Sequence, residues 1–189
     1  MVRKKVYTRE QILKAATEIV EKEGFSNFTA RSIAKYMGIS TQPIYLEFKN
    51  MEELRFTVLD DLFTYLFDEV FPRKITGDPL IDIALNCIKF ANANPQLFRA
   101  LYIEENGAGN LLFEKSFYHY RTYIKNHPRG KGIDEQHIDA LHIRTWIIVV
   151  GLATLTTSGI YKPTKGELID MMNDVIKIIL ANPNPVCIS

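Results

Sequence analysis

The sequence has little of what marks secreted, membrane-spanning or redox-active proteins. Only two of its 189 residues are cysteines, and Cys87 and Cys187 fit no metal or redox spacing. The longest apolar run, residues 146–155, is about half as long as the roughly 20 residues that a membrane helix needs. The N-terminus is basic, but no apolar signal region follows it. These shortages predict a cytoplasmic protein that does not enter a membrane.

Motifs for catalysis and metal binding are lacking as well. We find no Gly-rich phosphate loop, nucleophile elbow or acid–histidine metal box. His137 and His142 are five positions apart, whereas a metal pair on one helix face needs a spacing of four. We therefore predict no catalytic residues, no metal site and no cofactor.

The net charge of +1 is small, but it is unevenly distributed. Residues 1–50 hold nine Lys and Arg against five acids, a net charge of +4. The remaining 14 Lys and Arg and 17 acids give a net charge of −3. A basic segment ahead of an acidic body suits a polyanionic partner that binds only the N-terminal end.

Residues 29–48 carry the most specific signal in the chain. Thr29 is placed to cap a short helix whose Ile33 and Ala34 face inward. Gly38 follows where the chain must turn, in a left-handed conformation that a side chain would resist. Ile39 then points into the core. This order of cap, apolar face and glycine predicts two helices joined by a tight turn.

A second helix is predicted over residues 41–47, with Ser40 as its cap. Ile44 and Phe48 then point inward, while Thr41, Gln42 and Tyr45 point outward. This is the layout of a helix-turn-helix whose second helix enters the major groove of DNA. An ordinary helical hairpin is the alternative.

The rest of the chain is also helical in its periodicity, so the predicted fold class is all-α. The first helix is expected over residues 8–23, with Thr8 as cap and Gly24 as stop, and the fourth over residues 50–70. The later helices are expected at residues 79–93, 95–105, 110–126, 134–158 and 165–181.

The same residues carry a family resemblance. The run at residues 12–25 resembles the first helix of TetR-family transcriptional regulators. The remaining matches are Thr29, Ile33, Ala34, Gly38, Ile39, Ser40, Ile44, Tyr45, Phe48, Glu52 and Leu54. The resemblance covers about residues 8–55. It implies a three-helix DNA-binding domain at residues 1–50 and a helical effector-binding and dimerisation domain at residues 51–189.

The function implied by the resemblance is that of a ligand-responsive, sequence-specific transcriptional regulator. The expected form is a homodimeric repressor that a small molecule releases from a double-stranded operator. The alternative is a helical protein that has lost DNA binding and binds only a ligand or a partner. Retention on heparin that weakens with salt would separate the two, because only a nucleic-acid binder should show it.

The resemblance suggests phosphate contacts for Thr29, Tyr45 and Lys49, although a packed core aromatic is the alternative for Tyr45. Gln42 is the best candidate for a base reader, because its amide pairs in both directions with adenine. The full predicted DNA-binding set is Thr29, Arg31, Ser40, Thr41, Gln42, Pro43, Tyr45 and Lys49. Family members often have a Lys where this chain has Met51; Lys49 and a cap from Asn50 can serve the phosphate instead. Arg3, Lys4 and Lys5 form either a DNA-contacting arm or a solvated tail.

The resemblance also implies that the last two long helices pair with their symmetry mates. The apolar stripes predicted for that interface are Ile147, Val150, Ala153, Thr154, Ile169, Met172 and Ile176. Burial within one subunit explains either stripe equally well.

An effector pocket is predicted from the wealth of aromatics in the body, together with a few polar groups. Its candidate residues are Phe63, Phe67, Asn86, Cys87, Phe90, Arg99, Tyr102, Phe113, Phe117, Tyr120 and Trp146. Because rings stack on rings, the expected effector is hydrophobic or aromatic. Ordinary core packing is the alternative for each ring.

Overall fold

The computed structural model describes residues 7–104, 109–128 and 131–181, and every regular element in those ranges is helical. The all-α prediction is confirmed, while the basic arm and Cys187 lie outside the described residues. The helices are α1 (Arg9–Glu23), α2 (Ala30–Met37), α3 (Gln42–Glu47), α4 (Met51–Tyr65), α5 (Pro79–Ala93), α6 (Pro95–Tyr102), α7 (Gly109–Lys125), α8 (Glu135–Thr157) and α9 (Lys165–Ala181).

The chain divides into two compact units. One consists of Met1–Phe63 with Gln96–Gly109, and the other of Thr64–Pro95 with Asn110–Ser189. Helix α4 therefore begins in the first unit and ends in the second, while α6 belongs to the first. The boundary predicted after residue 50 separates a DNA-binding domain from an effector-binding domain by function, whereas the two units are defined by their contacts. That boundary stays a prediction.

The first unit is built on α1, which packs against α2 and α3. The predicted start of α1 is confirmed by a capping box, in which Thr8 and Gln11 each accept the other's backbone N–H. The predicted stop is confirmed at Gly24, whose φ of 72° with ψ of −165° is a conformation almost reserved for glycine. The apolar face of α1 is buried as expected, at Ile12, Ala15, Ala16, Ile19 and Val20.

The end of the fourth helix differs from its prediction. The α-helix stops at Tyr65, and Leu66–Val70 forms a π-helical turn in which Phe71 N–H donates to the Leu66 carbonyl at 2.8 Å. In an α-helix that N–H would go to the Phe67 carbonyl. Here the Tyr123 hydroxyl on α7 donates to the Phe67 carbonyl at 2.6 Å. A long-range partner thus satisfies the group that the π turn releases, which periodicity cannot reveal.

The second unit has α5 at its centre, packed on α8 and α9, and α8 also packs on α9. The loop before α5 is fixed by buried Asp82. Its carboxylate accepts from Thr76 N and Oγ1 at 2.7 Å each and from Gly77 N at 3.1 Å. Among the described residues, α8 is the one helix long and apolar enough to span a membrane, with a mean hydropathy of 1.5. This is weak evidence, because the core helix of a soluble protein meets the same test.

Candidate nucleic-acid interface and ligand site

The turn between α2 and α3 has the predicted geometry. Thr29 caps α2, since its Oγ1 accepts from Ser32 N–H at 3.1 Å. Gly38 ends α2 in the left-handed conformation, with φ 68° and ψ 36°. Ile39 N–H then donates to the Ala34 carbonyl at 2.9 Å, and Ile39 is half-buried. The chain therefore reverses within the few residues that the sequence indicated.

The predicted Ser40 cap of α3 is wrong. The helix begins at Gln42, its cap position is Thr41, and no side chain makes the cap hydrogen bond. Pro43 in the first turn has no N–H to offer, and Ile44 N–H donates to the Thr41 backbone carbonyl at 3.1 Å. A cap at Ser40 would serve the N–H three positions on, which Pro43 lacks, and the Ser40 side chain is exposed at the start of the helix.

Helix α3 presents a mixed polar and apolar face to solvent. Ile44 and the following Phe48 are buried, whereas Thr41, Gln42 and Tyr45 are exposed, as the sequence predicted. Leu46 beside them is 76% exposed, and sequence reasoning missed it. An outward leucine breaks the amphipathic pattern, and that break was the available signal.

Arg9 braces this helix against its neighbours. Its guanidinium donates to the Glu47 carbonyl at the end of α3 at 2.7 Å and to Glu53 of α4 at 3.2 Å. It also lies 4.0 Å from the centre of the Phe48 ring. Arg9 therefore links α1, α3 and α4 and fixes the position of α3, whose outer face stays exposed.

The start of α4 has the predicted cap. Asn50 Oδ1 accepts from Glu53 N–H at 2.8 Å, and Glu53 accepts from Lys49 N–H at 2.7 Å. That backbone hydrogen bond, helped by Arg9, lowers the pKa of the Glu53 carboxyl, although burial opposes it. The Lys49 side chain is exposed, Met51 is half-buried, and Thr29 and Arg31 are exposed on α2. Exposed hydroxyl and cationic groups thus precede and follow α3 along the chain.

Residues 12–58 match the family model described as bacterial regulatory proteins, tetR family. The match contains the whole of α2 and α3 and the start of α4. Residues 12–58 therefore form a DNA-binding domain of the TetR family. This domain marks the chain as a DNA-binding transcriptional regulator rather than an enzyme.

Solved structures extend the likeness in fold beyond the matched segment. A protein described as a TetR-family transcriptional regulator from Vibrio parahaemolyticus aligns with a TM-score of 0.65 at 19% identity, covering 89% of this chain and 96% of the other. A TetR variant from Acinetobacter baumannii AYE, solved with minocycline, aligns at 0.61 and 14% identity, covering 94% and 99%. SmeT from Stenotrophomonas maltophilia, the repressor of the SmeDEF multidrug efflux pump, aligns at 0.57 and 17% identity, covering 96% and 98%. The fold is thus shared along most of the chain.

Four of the predicted pocket residues gather in the second unit of the regulator. Phe113 stacks on Trp146 at 4.9 Å between ring centres and meets Phe117 edge-on at 4.7 Å. Tyr120 is buried, and its hydroxyl lies 3.4 Å from Thr145 Oγ1. All four rings surround His142, a residue that sequence analysis considered only as a metal ligand.

The other predicted pocket residues lie elsewhere. Phe67 and Phe90 both contact the ring of Phe71, at 5.3 and 6.2 Å between centres. Buried Asn86 is committed to the backbone, since it donates to the Phe71 carbonyl at 3.1 Å and the Arg73 carbonyl at 2.6 Å. Cys87 is buried in the same helix. This second group has the character of a packed core.

Three of the pocket candidates belong to the first unit instead. Phe63 is buried there, Arg99 is exposed, and Tyr102 stacks on Phe98 at 4.8 Å between ring centres. The structure therefore does not place all eleven candidates in one compact unit.

The predicted dimer residues also separate into two groups. Ile147, Val150, Thr154 and Ile169 keep exposed or half-exposed side chains. Ala153, Met172 and Ile176 are buried within the chain itself, so their side chains are not available to a partner. The reason is that α9 carries two apolar stripes, and the one with Met172 and Ile176 packs inside the subunit.

Proposed function

We propose that this TetR-family regulator is a cytoplasmic repressor that binds a palindromic operator as a homodimer and leaves it when a small molecule binds. The observation that carries the proposal is the outer face of α3, where Thr41, Gln42 and Tyr45 stand exposed on buried Ile44 and Phe48. Among proteins of the same fold, SmeT is a repressor and a TetR variant binds minocycline. Both support a ligand-responsive repressor here.

In the proposed complex, α3 lies in the major groove. The proposed base readers are Thr41, Gln42 and Pro43, with Gln42 pairing to adenine and Thr41 touching a thymine methyl. The proposed phosphate contacts are Thr29, Arg31, Ser40, Tyr45 and Lys49. A twofold dimer presents two such faces to successive grooves about 34–36 Å apart, so the operator should be a near-palindrome.

The proposed dimer forms through the outward faces of α8 and α9. Exposed or half-exposed apolar side chains run along both helices at helical spacing: Ile147, Val150 and Leu155 on α8, and Met171, Val175 and Ile178 on α9. Contiguous apolar stripes of this kind mark a protein–protein interface. The buried Ala153, Met172 and Ile176 support those stripes from beneath.

Release requires that effector and DNA favour different conformations. Helix α4 is one continuous element that begins in the DNA-binding unit and ends in the unit proposed to bind the effector. A conformational change at the C-terminal end of α4 can therefore be transmitted along this helix to the DNA-binding unit. Because such coupling is reciprocal, operator DNA should weaken effector binding by the same factor as the effector weakens DNA binding.

Replacement of Gln42 by alanine is expected to relax base preference at one position in each half-site. The lost amide contacts should cost about 1–3 kcal/mol of discrimination at that position. We would select an operator from random DNA and titrate single-base variants with each protein. Gln136→Ala, an exposed glutamine on α8, is the matched control and should leave preferences intact. Equal discrimination by Gln42→Ala and wild type would remove Gln42 from the base readers.

Replacement of Lys49 by alanine is expected to weaken all DNA sequences similarly. Loss of one phosphate contact should also reduce the slope of log K against log salt by about 1. The measurement is fluorescence anisotropy with specific and scrambled duplexes over a salt series. Lys162→Ala changes the same charge at an exposed lysine after α8 and should leave both values unchanged. Unaltered affinity of the Lys49 variant at every salt concentration would show that Lys49 does not contact phosphate.

A further inference from the structure

His142 on α8 is an unusual member of the core. The residue is only 4% exposed, yet its Nδ1 atom has no hydrogen-bond partner. The imidazole instead faces rings on α7 and α8, with centres at 4.2 Å for Phe117, 4.8 Å for Tyr120, 5.4 Å for Trp146 and 6.3 Å for Phe113. Buried polar atoms without a partner are rare in native proteins and call for an explanation.

The neighbouring hydroxyl groups are already engaged. Tyr120 Oη lies 3.4 Å from Thr145 Oγ1, which itself donates to the Leu141 and His142 carbonyls at 2.7 and 3.0 Å. Burial also lowers the pKa of His142 to about 4; Asp139 opposes this shift and Arg121 adds to it. The ring is therefore neutral near pH 7. A neutral imidazole nitrogen donates or accepts according to its tautomer.

A cleft of about 570 Å³ lies on the other side of two of these rings. Phe113 and Phe117 line it and are only half-buried, so both rings face solvent on one side and His142 on the other. Ligand sites commonly have volumes of about 300–1,000 Å³ and apolar walls with a few polar groups. Phe117 is the ring nearest to His142, at 4.2 Å between centres, and partly exposed side chains change rotamer readily, so a turn of Phe117 would give the cleft access to the imidazole.

Both cationic side chains that line the cleft are paired with acids, and the remaining charged lining residue is the acid Glu114. Arg121 donates to both carboxylate oxygens of Asp139, at 2.7 and 2.5 Å. Lys125 pairs with Glu135 at 2.6 Å. An anionic ligand would have to displace an acid from one of these pairs, whereas an uncharged ligand leaves them in place.

We propose that the effector is an uncharged aromatic molecule with a hydroxyl group, whose ring packs on Phe113 and Phe117 and whose hydroxyl bonds His142 Nδ1. This inference rests on the proposed response to a small molecule. A hydroxyl fits either tautomer because it donates and accepts. The ligand supplies the hydrogen bond that the free protein lacks.

The test uses three probes of one shape: 2-naphthol, naphthalene and 2-naphthoate. Calorimetric titration of the full chain should show 2-naphthol binding at least about tenfold tighter than either of the others, as one good hydrogen bond allows. In His142→Leu this preference over naphthalene should fall to within about twofold. His137→Leu, on the same helix outside the ring cluster, should keep it.

A second measurement needs no variant. With ¹⁵N-labelled histidine, addition of 2-naphthol to the wild-type protein should shift the Nδ1 resonance of His142 and leave that of His137 in place. Failure of all three probes to bind, equal binding of 2-naphthoate, or a preference that survives in His142→Leu would each overturn the proposal.

Release of a labelled operator distinguishes a failure of the His142 site from a failure of the proposed ligand response. We expect 2-naphthol to release DNA from the wild type and to do so far less from His142→Leu. Release that is equal in the two proteins contradicts the role of His142 and leaves ligand response intact. Binding that depends on His142 but releases no DNA supports the site and contradicts the proposed ligand response.

Discussion

An Ile147→Asp variant is expected to be a folded monomer that has lost tight operator binding. Ile147 lies on α8 and is 67% exposed, so the change removes little packing within the chain. In the proposed dimer it lies in an interface that should bury more than about 2,000 Å². A buried carboxylate without a partner there costs about 3–5 kcal/mol, and a twofold axis applies that cost twice.

Operator affinity should fall because a monomer has only one DNA-binding unit. One recognition helix per molecule gives up the avidity of two linked sites, so operator affinity should fall by about 100-fold or more. Light scattering reports the mass, and circular dichroism reports the helix content. Ile147 suits the test better than Val150, which is half-buried, because a charge at Val150 would also disturb the subunit.

The matched control is Ile160→Asp. Ile160 is 77% exposed and lies in the loop after α8, outside the two stripes. It should keep both the dimer and operator affinity. A dimeric Ile147→Asp protein with wild-type affinity would place the interface elsewhere, and loss of the dimer in both variants would mean that the stripe is not its specific determinant.

The helices of the DNA-binding unit were predictable because the sequence signals that start and stop them are local. Thr8, Thr29 and Gly38 each act within three or four residues of chain, so their caps and turn can be derived from spacing alone. The predicted Ser40 cap was wrong for an equally local reason, since Pro43 has no N–H for a cap to bind. Leu46 was missed because its exposure contradicts its residue type.

The body was harder to predict because α8 and α9 are apolar on more than one face. On α9 the stripe through Met172 and Ile176 and the stripe through Met171 and Val175 have the same spacing, and only packing against α5 and α8 decides which is buried. The same holds for the π turn after Tyr65, which depends on Tyr123 far along the chain. His142 carries no sequence signal for the four rings that surround it.

The burial of His142 predicts a strong dependence of stability on pH. Its pKa is about 4 in the folded chain, against an ordinary value of 6.5. Between these values the unfolded chain binds a proton that the folded chain does not, so stability falls as pH decreases from 6.5 toward 4. The shift corresponds to about 3 kcal/mol. Burial also lowers the pKa of His119, which adds to the loss in the same direction.

His142→Leu should remove most of this dependence. The measurement is urea unfolding at about pH 7 and pH 4.5, at one fixed protein concentration, because a dimer's stability depends on concentration. The wild type should lose about 2 kcal/mol more than the variant over this range, because pH 4.5 still lies above the folded pKa. Ile138→Val, a buried position on the same helix, should cost about 1 kcal/mol at both pH values and so leave the wild-type slope unchanged. A His142→Leu protein with the full wild-type slope would show that its imidazole is not held neutral by burial, and the acid sensitivity would then belong to other groups.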